Sequence, residues 1–330
     1  MDFKALEFRQ NLKILIMFLI VQFFGLFMAA AVYSGAQETQ LNSAQVGASI
    51  NYALSYIVGI LLFTLVLLFI IKKARSDKVF IILEAFAVGG ASFIAFLVLI
   101  GVATNTVQST IYGNSVTYED AAALILAASL ILAKNKWPRL RNTVSILSSA
   151  GLGFFIGINL TFPAVYVFMV LLAVYDFIAV FVTKHMVVMG ERMSGMNLAF
   201  LVGASEAEAV PRRKLSREEL EKAAKHRQIF EKQGNLLKDL DRQHLVPVYA
   251  RRELGNGDLA VPLMAAVSAY QMTFSFMTSF VVIFGATFGL LLTFYVLNRY
   301  KRALPAIPPL LFGITVALLV YVLLGGSNLL

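Results

Sequence analysis

The stretch FPAVYVFMVLLAVYDFIAVFV, residues 162–182, decides how this chain is interpreted. It is long enough to cross a membrane as a helix, because about 20 mostly apolar residues span the hydrocarbon core. It nevertheless contains a carboxylate, Asp176. A second carboxylate, Asp258, follows Gly255-Asn256-Gly257 and begins the next long apolar run. Since a charged side chain at membrane depth is costly and is functional by default, we interpret the two aspartates as a functional pair.

Composition places the chain among polytopic membrane proteins. Of its 330 residues, 59% are hydrophobic and 14% are charged, whereas soluble domains are roughly half apolar and about a quarter charged. The absence of cysteine excludes disulfides and thiolate chemistry, and the three histidines form no H-E-x-x-H zinc motif. We therefore expect neither a metal nor a cofactor. The net charge of +9 requires no nucleic-acid partner, because basic residues also set membrane topology and face anionic lipid.

Nine apolar stretches predict nine transmembrane helices. We place them at 12–33, 50–71, 79–102, 119–133, 142–160, 163–183, 258–277, 279–298 and 304–324, with a tight turn near Thr278. Connections with clustered Lys and Arg alternate with connections that contain neither residue. By the positive-inside rule, the N-terminus is cytoplasmic and the C-terminus is outside. The predicted fold class is an all-α polytopic membrane protein.

The sequence divides into three parts by polarity. These are an N-terminal membrane part with six spans at 1–183, a charged cytoplasmic connection at 184–257, and a C-terminal membrane part with three spans at 258–330. We interpret the connection as a solvated linker, in which a capping-box pattern predicts a mixed-charge helix from Arg217 to about Leu240. One further acid, Glu84, is interpreted as structural, with its carboxylate reaching the membrane interface.

Three features fall at the same depth near the cytoplasmic side. Asp176 lies roughly 12 Å from that end of the sixth span, at about 1.5 Å per helical residue. Asp258 is also near this side, and Gly255 and Gly257 imply irregular backbone beside it. Three prolines in Leu304–Leu310 oppose helix formation at the start of the ninth span. Irregular backbone at this depth is tolerated only where it is buried in protein or lines a wet cavity, so these features indicate one site.

The same residues carry a family resemblance. Tyr175-Asp176, Gly255-Asn256-Gly257-Asp258 and Pro305-Ala306-Ile307 resemble the YD, GxGD and PAL motifs of presenilins and signal peptide peptidases, in the same order and the same spans. The resemblance covers most of the chain, which closely resembles archaeal presenilin homologues, and it implies a presenilin-like bundle. Two positions depart from the pattern. Ile307 replaces the leucine of PAL with similar volume, and the variable GxGD position is the polar Asn256.

The resemblance implies an intramembrane aspartic endopeptidase with Asp176 and Asp258 as its catalytic dyad and no metal. It implies that the remaining motif residues bind substrate or shape the site: Tyr175, Gly255, Asn256, Gly257, Pro305, Ala306 and Ile307. Two carboxylates a few ångströms apart do not both ionise easily, so one activates water while its protonated partner donates to the scissile carbonyl. Because such groups titrate together, the roles of base and acid belong to the pair.

The implied substrates are transmembrane helices of membrane proteins, or signal peptides, within the lipid bilayer. Their backbone groups are already hydrogen-bonded inside the helix, so cleavage requires local unwinding. The start of the ninth span is expected to offer an edge to the unwound strand. The resemblance also implies a multi-pass protein of a prokaryotic cell membrane. It leaves open the natural substrate, accessory subunits and homo-oligomers.

An ion-coupled secondary transporter or channel is the alternative. Such proteins also place acidic residues beside broken helices at membrane depth. Both aspartates of this chain, however, lie off-centre toward one side of the membrane, and the sequence contains no visible inverted repeat. Both features favour the protease.

Overall fold

A computed structural model describes residues 3–33, 50–55, 58–59, 62, 78–104, 106, 118–183, 198–211, 245–300 and 304–326. Helices dominate this part of the chain. In chain order the elements are α1 (Phe3–Tyr33), α2 (Lys78–Thr104), α3 (Tyr118–Lys136), α4 (Arg141–Asn159), α5 (Phe162–Phe177), β1 (Leu201–Pro211), β2 (Leu245–Gly255), α6 (Asn256–Thr273), α7 (Phe276–Tyr300) and α8 (Ile307–Leu323). A 3₁₀ turn, Pro138–Leu140, precedes α4, and a π-helical turn, Ile178–Val182, continues α5.

Several of these helices have the length and apolarity of membrane spans. Among the described residues, four helical segments qualify in full: Glu7–Tyr33, Phe80–Thr104, Phe162–Val182 and Phe276–Arg299. Helix α8 is apolar and shorter. The protein is therefore a multi-pass membrane protein. The predicted second span, 50–71, is described only in part, with helical backbone at 50–55, and the total of nine spans stays a prediction.

The turn between the seventh and eighth predicted spans lies earlier than expected. Helix α6 ends where Phe274 adopts a left-handed conformation with φ of 51°, and its N–H donates to the Tyr270 carbonyl at 2.7 Å. Helix α7 begins two residues later, so Thr278, which was predicted at the turn, lies inside α7. Its hydroxyl donates to the Ser275 carbonyl at 2.8 Å. The stretch 258–298 is uncharged after Asp258, so its sequence did not fix the position of the turn.

The all-α prediction is wrong for the connection. Strands β1 and β2 pair in a two-stranded sheet. The stretch EAEA within β1, residues 206–209, alternates polar and small apolar residues, which is the period of a strand. The predicted helix from Arg217 to Leu240 lies outside the described residues.

The chain forms two compact units. One comprises Met1–Ile16 and Gly203–Leu254, and the other comprises Met17–Val202 and Gly255–Leu330. The second unit contains most of the helices and every residue of the predicted site. The boundary at Gly255 coincides with the start of α6.

Helix α6 forms the centre of the second unit. Every residue from 259 to 270 is buried, as expected for a helix that is apolar on all sides. Glycines on α4 allow close packing, because a Cβ at Gly153 would lie 2.6 Å from the Ala260 carbonyl oxygen and one at Gly157 would lie 2.8 Å from that of Met264. Small residues at such contacts let helix backbones approach in membranes. The start of α6 is therefore held firmly against α4.

Helix α8 packs along α7 and against α5. A Cβ at Gly285 of α7 would lie 2.6 Å from the carbonyl oxygen of Gly313 in α8. The hydroxyls of Tyr166 on α5 and Thr315 on α8 are 3.0 Å apart. These contacts place the beginning of α8 beside the last turn of α5.

Candidate active site

Asp176 lies in the last turn of α5 and is buried, with 6% of its surface exposed. Its Oδ2 accepts a hydrogen bond from the Ile307 backbone N–H at 3.2 Å. The backbone amide of Ala306 also interacts with this carboxylate. Two consecutive amides at the start of α8 thus hold Asp176.

The amide donor comes from the end of a helix. Ile307 is the first residue of α8, where backbone N–H groups have no partner inside the helix. The carboxylate supplies the missing acceptor, and the helix macrodipole favours negative charge at this end. Asp176 therefore acts as a cap for α8 from a different helix.

The three prolines divide between two conformations. Leu304, Pro305 and Ala306 lie outside regular structure, as predicted, but Pro308 and Pro309 lie within the first turn of α8. Proline is tolerated there because the N–H that it lacks would be unpaired in any case. The prediction of a broken start to this span is therefore right only up to Ala306.

Asp258 lies in the first turn of α6, whose N-cap is Gly255. The backbone of Gly255 provides a hydrogen bond to its carboxylate. A Cβ at Gly255 would lie 3.2 Å from Asp258 Oδ2, which is tighter than an ordinary contact. Glycine at this position lets the carboxylate fold back onto its own backbone.

The two carboxylates come close enough to interact electrostatically. They approach from α5 and α6, and each lies at a helix N-terminus: Asp258 at that of α6, and Asp176 against that of α8. Both N-termini offset part of the cost of charge in a buried place. Asp258 is only partly buried, and its neighbour Gly257 is exposed, so the pair is accessible from the Asp258 side. Such a pair can hold one proton between two groups and activate water.

Comparison with known proteins gives the family. The family model for signal-peptide peptidase, presenilin aspartyl protease matches residues 15–327. The chain belongs to this family. It is therefore an intramembrane aspartic protease.

Solved structures agree with this assignment at the level of the fold. Two structures of a presenilin family intramembrane aspartate protease, in the C222 and P2 space groups, each match with a TM-score of 0.55 and 24% identity. Both matches cover 95% of this chain, and they cover 99% and 97% of the solved chains. No match was found among curated protein sequences.

Asn256, the variable residue of the protease's GxGD motif, is a structural anchor. Its Oδ1 accepts a hydrogen bond from the Ser145 hydroxyl. Its Nδ2 donates hydrogen bonds to Ser148 Oγ at 3.1 Å and to the Ala199 carbonyl oxygen at 2.8 Å. Its backbone N–H donates to the Phe200 carbonyl at 3.0 Å. The sequence implied only that Asn256 binds substrate or shapes the site. The signal that could have indicated more is the pair of serines three residues apart, on one face of α4.

The remaining predicted residues lie around the dyad to different degrees. Pro305 and Ala306 are buried beside the N-terminus of α8, and Tyr175 is half-buried next to Asp176 in α5. Gly257 faces open space, with nothing within 4 Å of a Cβ added there. In the described part of the chain, no group of three His, Cys, Asp or Glu side chains could hold a metal ion.

Sequence reasoning misjudged Glu84. Its carboxylate does not reach the membrane interface but is buried, with both oxygens bound by Lys134 Nζ at 2.5 and 2.6 Å. The structural interpretation of Glu84 agrees with this contact. The partner could not be predicted, because Lys134 directly follows the fourth predicted span, 119–133, where a basic residue indicates a cytoplasmic connection.

Proposed function

We propose that the protein hydrolyses peptide bonds inside transmembrane helices of membrane proteins or inside signal peptides, with Asp176 and Asp258 as the catalytic pair. The observation that carries the proposal is the approach of these two carboxylates from α5 and α6, at residues that resemble the YD and GxGD motifs, in a chain of the aspartyl protease family. Water is the nucleophile, so no covalent enzyme intermediate forms.

The chemistry follows from one shared proton. The charged carboxylate takes a proton from water as the water oxygen bonds to the scissile carbonyl carbon. The protonated partner gives its proton to the carbonyl oxygen. The carbon–nitrogen bond then breaks, and a proton passes to the departing amine, which leaves a carboxylic acid and an amine. The coupled carboxylates act as a unit.

The remaining motif residues hold the pair and receive the substrate. Ile307 and Ala306 fix Asp176 through their amides, and Gly255 makes room for Asp258. The irregular backbone at Leu304–Ala306 offers an edge to an unwound substrate strand. The PAL segment therefore serves both the substrate and the position of a catalytic carboxylate.

The proposed membrane arrangement has nine spans, with the N-terminus cytoplasmic and the C-terminus outside. It rests on the alternation of basic and non-basic connections. Spans one to six lie within 1–183, the charged connection is 184–257, and spans seven to nine lie within 258–330. The site then opens toward the cytoplasmic side of a prokaryotic cell membrane.

The test is cleavage of a single-span peptide by the purified protein in lipid vesicles. The proposal predicts cuts inside the apolar span, located by mass spectrometry of the fragments. Asp258→Asn serves as the control and should lose at least about 100-fold in rate, the scale of general acid–base catalysis. Cuts only outside the span, or equal cleavage by Asp258→Asn at equal yield of folded protein, would refute it.

A further inference from the structure

A buried ion pair lies at the same end of the bundle as the dyad. Glu84 is near the beginning of α2 and Lys134 is near the end of α3, and their side chains are 1% and 0% exposed. The ammonium group contacts both carboxylate oxygens. Such a pair adds little net stability, because two apolar residues of similar volume often replace one without loss. The stability of the bundle does not by itself account for it.

The pair has a third partner in the backbone. Glu84 Oε1 also accepts a hydrogen bond from the Ala199 N–H at 2.6 Å. Hydrogen bonds to a charged acceptor are shorter and stronger than neutral ones. Ala199 is fully buried, and it packs with Val88, Ile131 and Val144. The short segment Leu198–Phe200 is thus fastened to α2, α3 and α4.

The same segment holds the beginning of α6. The Ala199 carbonyl accepts from Asn256 Nδ2 at 2.8 Å, and the Phe200 carbonyl accepts from the Asn256 N–H at 3.0 Å. Asn256 is two residues before Asp258. Direct contacts therefore run from the ion pair through two peptide groups to the turn of helix that carries the aspartate.

We propose that Glu84, whose buried charge Lys134 balances, is a positioning residue for the dyad. It fixes Leu198–Phe200, which through Asn256 sets the position of Asp258. The inference rests on the proposed catalytic role of Asp258. Neither residue touches substrate, and their effect reaches the reaction only through the geometry of the pair.

Two double variants isolate the proposed contact. Glu84→Gln/Lys134→Met removes both charges and keeps an amide oxygen for the Ala199 N–H. Glu84→Leu/Lys134→Met removes the acceptor as well and fills the same volume. We expect kcat of the leucine variant to fall about tenfold with KM nearly unchanged, because a misplacement of about 1 Å costs up to about 100-fold. The glutamine variant should stay within about threefold of the parent, since the Ala199 N–H keeps an acceptor.

Glu119→Leu is the control for the loss of a hydrogen-bonded contact between helices at a site away from the dyad. Glu119 lies at the start of α3 and accepts hydrogen bonds from Thr104 and Thr106 at 3.0 and 2.5 Å. These hydrogen bonds join the start of α3 to the C-terminal end of α2, away from the dyad. The kcat of Glu119→Leu should match that of the parent, and the melting temperatures of all variants are measured alongside. Equal loss of kcat in Glu119→Leu, or no loss in Glu84→Leu/Lys134→Met, would overturn the inference.

A distance measurement tests the positioning role without relying on enzymatic activity. The chain has no cysteine, so nitroxide labels can be placed cleanly at Gly257→Cys and Phe177→Cys, two exposed positions beside the aspartates. The label distance should shift or broaden in Glu84→Leu/Lys134→Met and stay unchanged in Glu119→Leu. An unchanged distance in the leucine variant refutes positioning. A parent that cleaves no peptide refutes the proposed function instead, and the distance still tests the inference.

Discussion

At the scale of single residues, the two glycines of the GxGD motif do different work. Gly255 lies against the carboxylate of Asp258, whereas Gly257 is exposed with open space around the position of a Cβ. Neither has a positive φ, so neither position requires glycine for its backbone conformation. Space is required at Gly255 for the carboxylate, and at Gly257 we propose that the open side of the dyad is left free for substrate.

The two glycines therefore predict different kinetic defects. In Gly255→Ala the methyl group should push Asp258 out of place and lower kcat about tenfold, since catalytic geometry tolerates only small displacements. Gly257→Ala should leave the binding of a small transition-state mimic unchanged and act on KM for a helical substrate. Both constants, and the mimic's affinity, are measured on the two variants and the parent. Weaker mimic binding by Gly257→Ala than by Gly255→Ala would contradict this assignment.

The residue types show why the sequence indicated some of the site and not the rest. Asp176 and Asp258 could be predicted, because a carboxylate inside an apolar stretch is rare and costly. The Ile307 amide could not, because every residue except proline carries one, and its partner depends on how α5 and α8 pack. Glu84 was predicted to be structural, but its carboxylate was expected at the membrane interface. Neither its burial nor its ion pair could be predicted, because 50 residues separate it from Lys134 along the chain.

At the scale of elements, the site forms where the ends of three helices, α5, α6 and α8, lie together. The last turn of α5 brings Asp176 to the first turn of α8, and the first turn of α6 carries Asp258. The apolar stretches predicted these helices well, because length and hydropathy determine membrane spans. They predicted the strands poorly, since β1 and β2 lie in a polar connection where membrane patterns carry no information. The irregular backbone at Leu304–Ala306 is the element that fixes where α8 begins.

That starting point predicts the effect of two proline substitutions. Pro305→Ala should let α8 extend backward by a turn, so that the Ile307 N–H bonds within the helix and leaves Asp176. We expect kcat to fall about tenfold, with the folded yield retained. Pro308→Ala is the matched control, because proline and alanine both suit the first turn of a helix. Equal rates for the two variants would show that the start of α8 does not position the dyad.

At the scale of the whole molecule, the bundle surrounds α6 and puts the dyad at one end of it. Apolar packing through glycine contacts holds α6 to α4 and α7 to α8. The consequence is a carboxylate pair at one end of α6, open on the side of Gly257. This arrangement suits a protease that receives a substrate helix from the bilayer and water from one face.

The proposed orientation predicts which positions react from each side of the membrane. The cysteine-free chain allows single cysteines at Ser216, in the charged connection, and at Ser43, in the connection after the first span. In sealed vesicles of known orientation, an impermeant maleimide should label Ser216→Cys only from the cytoplasmic side and Ser43→Cys only from the opposite side. Labelling of both from one side would mean that an even number of spans lies between them, in place of the five predicted.

The most direct test of the account compares Asp176→Asn, Asp258→Asn and the double variant in cleavage of one single-span peptide. A dyad that shares its proton works as a unit, so each single change should abolish cleavage as fully as both together. The loss should be at least about 100-fold in each case, with melting temperatures near the parent. Substantial cleavage by either single variant, or losses that multiply in the double variant, would contradict the claim that these two carboxylates form the catalytic pair.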